Sequence, residues 1–184
     1  VARRRGTVAP MHGTALFSRR VLWNGRTGPA TVRVEAGRIT AIDAEVHDLN
    51  ATDLGDDVLM AGLVDAHVHI NEPGRTEWEG FATATRAAAA GGVTALVDMP
   101  LNSIPVTTTL AALHEKIAAT EGKLFVDVGF WGGVIPGNAG ELGAMARAGA
   151  RGFKCFLCPS GIDDFPKSTD EDLRLAMPIL RAAG

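Results

Sequence analysis

The sequence predicts an α/β protein in which the first half of a (β/α)8 barrel follows a small β-rich module. Between Gly62 and Gly184, apolar strands alternate with alanine-rich helices, a pattern typical of parallel βα units. Before Met60 the pattern is instead one of short strands and tight turns. The chain has 184 residues, of which 46% are hydrophobic and 21% charged, which suits a globular protein of one domain, or one domain and part of another.

The first sixty residues divide into a basic segment and a strand-rich segment. Residues 1–13 belong to an arginine-rich stretch without acidic residues, for which we expect a solvated tail, with a transit peptide as the alternative. Residues 14–60 carry alternating apolar and polar residues, separated by turn signals at Asn24-Gly25 and Ala36-Gly37. We therefore expect a β-rich domain over 14–60.

Four strand–helix pairs follow over residues 61–184. The predicted strands are 63–70, 93–99, 124–130 and 151–157, and the predicted helices are 81–90, 109–120, 139–148 and 169–183. Glycines such as Gly91 and Gly149 end the helices as C-caps. The same ending recurs at Gly184, so we expect a fifth strand to follow, and four units are half of a barrel that typically needs about 250 residues. A small open α/β sheet is the alternative, but the chain has no Gly-x-Gly-x-x-Gly or phosphate-binding loop.

Composition excludes several classes of partner. The net charge of −3 gives no reason to expect nucleic acid, and no apolar run approaches the roughly 20 residues of a membrane span. Cys155 and Cys158 have the Cys-x-x-Cys spacing of redox or zinc sites. They fall in a predicted strand, where residues three apart face opposite sides, so we expect reduced, mostly buried thiols and a cytoplasmic protein.

His67 and His69 are the first candidates for a functional site. Residues separated by one position point to the same side of a strand, and the apolar run 58–64 leads into the pair. Two neighbouring imidazoles can share one metal ion. A turn signal at Asn71-Glu72-Pro73-Gly74 follows, and a strand that ends in polar residues and a loop is typical of a barrel-mouth active site. The sequence therefore predicts a metal-dependent enzyme.

Lys154 is the next candidate, because it stands between Phe153 and Phe156 in the fourth predicted strand. An unpaired ammonium would be costly to bury there, so the lysine either extends to solvent, pairs with an acid or is chemically modified. Addition of carbon dioxide to the neutral amine would give an anionic carbamate that can bridge two metal ions. The histidine pair on a neighbouring strand favours the modified lysine.

Five stretches of the sequence together resemble the cyclic amidohydrolases. The long stretch 62–80 (GLVDAHVHINEPGRTEWEG) is the most specific. The others are 91–94 (GGVT), 98–103 (DMPLNS), 129–133 (GFWGG) and 152–157 (GFKCFL). The resemblance covers the chain from residue 14 to its end and is strongest to the allantoinase group of that family.

The resemblance implies a metal-dependent barrel with a β-sandwich domain built from both ends of the chain. His67 and His69 would bind metal, and Lys154, as a carboxylated lysine, would bridge two divalent ions. Zinc is the first expectation, with cobalt, manganese or iron as alternatives. The family also uses two further histidines and a proton-transferring aspartate, none of which lies in this sequence, so the chain alone is expected to be inactive. A homo-oligomer, in particular a tetramer, is implied as well.

The choice of substrate depends on residues near these ligands. Dihydroorotases carry an arginine at the position of Asn71, and dihydropyrimidinases place a tyrosine after the bridging lysine, whereas this chain has no tyrosine. An amide suits an uncharged ring, so we expect ring opening of allantoin to allantoate in purine breakdown. Asn71, Asn102 and Ser160 are candidate substrate contacts, although Asn102 and Ser160 are equally suited to turns or caps. A hydantoinase or dihydropyrimidinase, or a non-catalytic scaffold, is the alternative.

Overall fold

The computed structural model describes residues 13–184, which fold into two compact units that divide between Gly62 and Leu63. The expected tail over residues 1–13 lies outside the described residues, apart from Gly13. Within the described part of the chain, no helix is both long enough and apolar enough to cross a membrane.

The first unit is a five-stranded sheet. Its strands are β1 (Thr14–Trp23), β2 (Arg26–Glu35), β3 (Arg38–Ala44), β4 (Thr52–Asp53) and β5 (Val58–Leu59). β1, β2 and β3 form an antiparallel meander, and β4 and β5 pair with β1 in parallel. The turn residues Asn24 and Gly25 both have positive φ angles, as a two-residue hairpin turn requires. The buried faces of β1 and β2 pack around Val21, Ala30 and Val32.

The second unit consists of four βα units in chain order. Its elements are β6 (Leu63–Val68), α1 (Phe81–Ala90), β7 (Val93–Asp98), α2 (Leu110–Ala119), β8 (Asp127–Gly133), α3 (Ala139–Arg147), β9 (Gly152–Lys154) and α4 (Asp170–Ala183). The strands are parallel and lie in the order β6-β7-β8-β9. Sequential order and parallel direction confirm the predicted α/β class with four successive βα units.

The helices cover one face of this sheet with a continuous apolar core. Phe81 on α1, Leu113 on α2 and Met145 on α3 are fully buried against Val128 and Phe130 of β8. On β8, the indole N–H of Trp131 donates a 2.9 Å hydrogen bond to the carbonyl oxygen of Ala66. Since β7 lies between these two strands, Trp131 spans one strand and ties β8 to β6.

The fourth strand is shorter than the sequence predicts. The apolar run 151–157 indicates a strand of seven residues, but β9 ends at Lys154. Beyond it, the carbonyl oxygen of Phe156 accepts a hydrogen bond from the backbone N–H of Ser168 in the loop before α4, at 2.8 Å, so the chain has turned into that loop. Cys155 is half-buried and Cys158 is exposed outside the strand. The expectation of two mostly buried thiols on one strand is therefore wrong, although neither cysteine forms a disulfide.

Candidate functional site

His67 and His69 lie together where β6 ends. His67 is the penultimate residue of β6 and His69 is the first residue after it. Their ring centroids are 5.5 Å apart, with an interplanar angle of 47°. Alternation along the strand places both rings on the same side, as two ligands of one ion require. His67 is exposed and His69 is half-buried, so the pair opens toward solvent on one side.

The surroundings of His69 favour its neutral form. Burial lowers the pKa of His69 below its usual value, and the positive charges of Lys154, His67 and Lys116 act in the same direction. Neutral imidazole is the form that binds metal ions, because a ring nitrogen must be free to donate its lone pair. The side-chain nitrogen of Asn102 lies 3.4 Å from Nδ1 of His69, on the loop after β7.

Lys154 is the last residue of β9, at the opposite edge of the sheet from β6. Its positive charge is close enough to lower the pKa of His69. The side chain is half-buried, and Nζ lies 4.9 Å from the ring centroid of Phe156. Lys154 takes part in none of the ion pairs formed by residues 13–184. Of the three possibilities for this lysine, pairing with an acid therefore has no support in this part of the chain.

The predicted substrate contacts differ in their environments. Asn71 is 8% exposed, and its Oδ1 atom has no hydrogen-bond partner among the described residues. Asn102 is half-buried and has a left-handed backbone with φ of +73°. The hydroxyl of Ser160 donates to the carbonyl oxygen of Phe165 at 2.6 Å and accepts from the N–H of Ile162 at 3.1 Å. The hydroxyl of Ser160 therefore forms its hydrogen bonds within its own loop, whereas Oδ1 of Asn71 has no partner among the described residues and is available to a ligand.

A cavity of about 490 Å³ lies beside Asn102. Its other lining residues are Arg75, Trp78, Gly161, Ile162, Asp163 and Asp164, from the loops that follow β6 and β9. The guanidinium of Arg75 lies 4.7 Å from the ring centroid of Trp78, whose side chain is 63% exposed. Trp78 is therefore open to solvent beside the cavity rather than packed in the core. The volume is that of a small-molecule site, and Asn102 connects it to His69.

Asp98 and Lys116 form a buried ion pair next to Ile70, which the sequence did not predict. Asp98, the last residue of β7, and Lys116 of α2 are 0% and 1% exposed, and Lys116 Nζ donates to Asp98 Oδ2 at 2.7 Å. Burial raises the pKa of Asp98 to about 6, although Lys116 and the backbone N–H groups of Ile70 and Met99 act in the opposite direction. The signal was available, since Lys116 shares the buried face of α2 with Ala112 and Leu113 at helical spacing.

Glu72 is a second buried carboxylate whose role the sequence did not show. It is 6% exposed, and its Oε2 atom accepts a 2.9 Å hydrogen bond from the backbone N–H of Phe81, in the first turn of α1. Its other oxygen pairs with Lys123. A carboxylate at a helix N-terminus is stabilised by the unpaired N–H groups there. Glu72 therefore fixes the loop between β6 and α1, which carries Arg75 and Trp78.

The donors present fit part of a metal site. Two imidazoles on one side of β6 are ligands that zinc and similar divalent ions accept, and the unpartnered oxygen of Asn71 lies in the segment directly after them. Residues 13–184 contain no group of three or more His, Cys, Asp or Glu side chains that could hold an ion. Zinc sites normally use three or four protein ligands, so the histidine pair needs further donors.

Comparison of the sequence with protein families gives a match over residues 58–177 to the amidohydrolase family. The chain belongs to the amidohydrolase family. Enzymes of this family are generally metal-dependent. The matched region of this amidohydrolase contains His67, His69, Asn71, Asn102 and Lys154.

Relatives of this amidohydrolase include several proteins named allantoinase. The chain is 56% identical to the allantoinase of Streptomyces avermitilis over 173 residues, covering 92% of this chain and 38% of that protein. Identity is 48% to the mitochondrial allantoinase of Aquarana catesbeiana, covering 91% and 36%, and 42% to the allantoinase of Saccharomyces cerevisiae, covering 90% and 39%. The chain therefore spans less than two fifths of the length of these curated relatives.

Solved structures agree with the family and extend the description of the fold. The L-hydantoinase (dihydropyrimidinase) from Arthrobacter aurescens matches with a TM-score of 0.79 at 31% identity, covering 91% of this chain and 38% of that one. The dihydropyrimidinase from Brevibacillus agri matches with a TM-score of 0.73 at 23% identity, covering 94% and 38%, which shows the fold alone. The curled parallel sheet and the separate first sheet confirm the predicted half-barrel with a preceding β domain.

Proposed function

We propose that the protein carrying this chain hydrolyses a cyclic amide, opening the hydantoin ring of allantoin to allantoate in purine breakdown. The observation that carries this proposal is the pair of neighbouring imidazoles, His67 and His69, at the end of a parallel strand, with Asn102 between His69 and a polar cavity. The names of the relatives support allantoin in particular, since three of them at 42–56% identity are allantoinases.

His67 and His69 would hold one divalent ion, with zinc as the first expectation and cobalt, manganese or iron as alternatives. When bound, divalent ions supply Lewis-acid activation of water and of the amide carbonyl. The lowered pKa of His69 supports its role as a neutral ligand at neutral pH. Two imidazoles do not complete a zinc site, so the 184-residue chain alone is expected to be inactive.

As a carbamate, Lys154 would contribute one further donor group to a site of two divalent ions. Its neutral amine would attack the carbon of carbon dioxide and release one proton, leaving an anionic group with two oxygens that can bridge two ions. The half-buried position and the absence of an acidic partner among residues 13–184 support modification over ion pairing. Intact mass measured under non-acidic conditions should show one added carbon dioxide on the wild type, and none on a Lys154→Met variant.

The cavity supports an uncharged ring that carries a polar side group. Asn102 lines the cavity and offers an amide next to His69. Asn71, which follows the histidines in the chain, offers a buried acceptor without a partner among the described residues. Arg75, Asp163 and Asp164 line the cavity and provide both donors and acceptors, which match an exocyclic urea group. We propose Asn71 and Asn102 as substrate contacts. Ser160 is proposed to act only through the loop that bears Asp163 and Asp164, since its hydroxyl is already bonded there.

A substrate panel on the full-length protein tests this function. After loading with zinc or cobalt, it should hydrolyse allantoin with a kcat/KM at least about tenfold above those for hydantoin, dihydrouracil and dihydroorotate, which corresponds to one good polar contact. His67→Ala should abolish turnover, while His114→Ala, on the exposed face of α2, should leave it unchanged. Preference for hydantoin or dihydrouracil would make the protein a hydantoinase or dihydropyrimidinase. If the metal-loaded wild-type protein hydrolyses none of these substrates, a non-catalytic scaffold is favoured.

We also propose a homo-oligomer, specifically a tetramer, and a cytoplasmic location. Two cysteines without a disulfide support a reducing compartment. The frog relative is named mitochondrial, which is the alternative location. Light scattering on the full-length protein and fractionation of the source cells test the two statements separately.

A further inference from the structure

We propose that Asp98 is a positioning residue for the metal site, because it fixes the backbone between His69 and Asn71. Oδ1 of Asp98 accepts a 2.6 Å hydrogen bond from the backbone N–H of Ile70, and both residues are completely buried. Ile70 lies between the ligand His69 and the candidate substrate contact Asn71. One carboxylate oxygen therefore holds the peptide that joins the two functional side chains.

The position of Ile70 explains why this bond matters. The ladder between β6 and β7 ends where Val68 pairs with Asp98 and where Met99 N–H donates to the carbonyl oxygen of Val68 at 2.8 Å. His69 and Ile70 lie beyond the end of β6. Because strand pairing has ended, the side chain of Asp98 replaces the next rung of the ladder at Ile70.

Lys116 holds the carboxylate of Asp98 in this orientation. Its Nζ atom donates to Asp98 Oδ2 at 2.7 Å and to the carbonyl oxygen of Met99 at 3.0 Å. Each oxygen of Asp98 thus has its own donor, so rotation of the carboxylate would break two hydrogen bonds in a site without water access. A charge-assisted bond of this kind is stronger than a neutral one. The pair therefore connects α2 to the backbone at the histidines.

This inference rests on the proposed metal site at His67 and His69. A shift of the peptide at Ile70 would move the imidazole of His69 and the amide of Asn71 together. Groups that orient metal ligands without touching the ion typically change metal affinity by about 10- to 100-fold when they are removed. We therefore expect Asp98 to affect metal binding through Ile70, independently of its effect on stability.

Two double variants of the full-length protein separate the hydrogen bond from the buried charge. Asp98→Asn/Lys116→Met removes both charges and keeps an oxygen acceptor for Ile70, whereas Asp98→Leu/Lys116→Met removes the acceptor as well. Replacing both members of a buried ion pair avoids leaving one charge unpaired. We expect near wild-type zinc affinity for the asparagine pair and an affinity at least about tenfold lower for the leucine pair, measured by chelator competition.

Leu142→Ala is the matched control for stability. Leu142 is fully buried on α3 in a cluster with Val134 and Ala176, away from β6, so its truncation should destabilise the fold without changing zinc affinity. Asp98→Val/Lys116→Met serves as a second variant without an acceptor if the leucine pair does not fold. Equal zinc affinities for the asparagine pair and the non-accepting pair would overturn the proposal.

Amide hydrogen exchange at Ile70 tests the hydrogen bond to Asp98 directly, without requiring that the protein bind zinc. Hydrogen–deuterium exchange of the peptide that contains Ile70 should be slow in the wild type and the asparagine pair and faster in the non-accepting pair. If the wild-type protein binds no zinc, the proposed metal site fails. The exchange result then decides the role of Asp98, since equal exchange in the two double variants would overturn it.

Discussion

Asn102 shows how a single residue can combine backbone conformation with function. Its φ of +73° lies in the left-handed region, which asparagine tolerates better than most residues, and its side chain reaches His69. Strained backbone positions often occur at functional sites, where other contacts hold them. The sequence placed Asn102 near the end of a strand, but only the structure shows its contact with the histidine.

Two variants of Asn102 separate these two properties. Asn102→Gly keeps the left-handed backbone without strain and loses the amide, whereas Asn102→Ala loses the amide and is strained by about 1 kcal/mol. Both variants should lower kcat/KM for allantoin by about tenfold, because one polar contact is lost. Only Asn102→Ala should also lower the free energy of unfolding, measured in urea. Wild-type kinetics in the glycine variant would show that the amide has no role.

Gly74 is required by its conformation and by its neighbour. Its φ is +90°, and an added Cβ would lie 2.5 Å from Cβ and 2.8 Å from the carbonyl oxygen of Ile104. Gly74→Ala should therefore destabilise the protein by about 3 kcal/mol, the sum of left-handed strain and overpacking. Gly137→Ala is the control, since Gly137 has φ of +83° with open space around it, and should cost about 1 kcal/mol. Equal losses in urea denaturation would contradict the role of Ile104.

At the scale of elements, the Asp98–Lys116 pair joins β7, α2 and the end of β6. Helix α2 begins at Leu110, one residue after the predicted start, because Thr109 is its N-cap, whose hydroxyl accepts from the N–H of Ala112 at 3.1 Å. Helix α1 has the predicted bounds. Periodicity and capping residues are local, so the sequence located these helices. The pairing of Lys116 with Asp98 depends on how α2 packs on the sheet, which periodicity does not specify.

The pKa of Asp98 predicts a pH dependence of stability. Its value of about 6 in the fold is above the ordinary 3.8, so the folded state binds the proton more tightly than the unfolded state does. Asp98 therefore makes the protein less stable as pH rises from about 4 to 6, by up to about 3 kcal/mol. The difference in free energy of unfolding between wild type and Asp98→Asn should change by this amount between pH 4 and 7. A difference that does not vary with pH would contradict the raised pKa.

At the scale of the whole molecule, the second unit is an open sheet with β6 and β9 at its two edges. Leu63 and Val64 on β6 are 51% and 65% exposed. An exposed apolar edge strand promotes association with other chains. The half-barrel of this chain should therefore self-associate when the 184 residues are expressed alone.

Val64→Lys should reduce this self-association, because a charged side chain on an edge strand disfavours pairing with another edge. Size-exclusion chromatography with light scattering should show a larger monomer fraction than for the wild-type chain. Val58→Lys is the matched control, since Val58 is 46% exposed on β5 of the other unit. If both substitutions raise the monomer fraction equally, added charge rather than the β6 edge is responsible.

Local sequence patterns were sufficient to predict the order of the elements and the parallel βα class, and they indicated the candidate ligands. Those features depend on local periodicity and on short motifs such as His67-Val68-His69, which can be recognised from a few neighbouring residues. The length of β9 and the burial of Cys158 were predicted wrongly, because an apolar run does not show where the chain leaves a sheet. β9 ends at Lys154, where its pairing with β8 ends, and Phe156 instead accepts a hydrogen bond from Ser168, twelve residues later.

Which polar groups have a hydrogen-bond partner, and which remain free to bind a ligand, depends on how the chain packs. The tertiary structure assigned the hydroxyl of Ser160 to its own loop, left Oδ1 of Asn71 without a partner among the described residues, and joined Asp98 to Ile70 and Lys116. The two contacts of Asp98 join β7 to α2 and to the residues after β6. Burial makes each of them energetically significant, because an unpaired polar group away from water destabilises the fold, and burial is a property of the packed chain rather than of any segment.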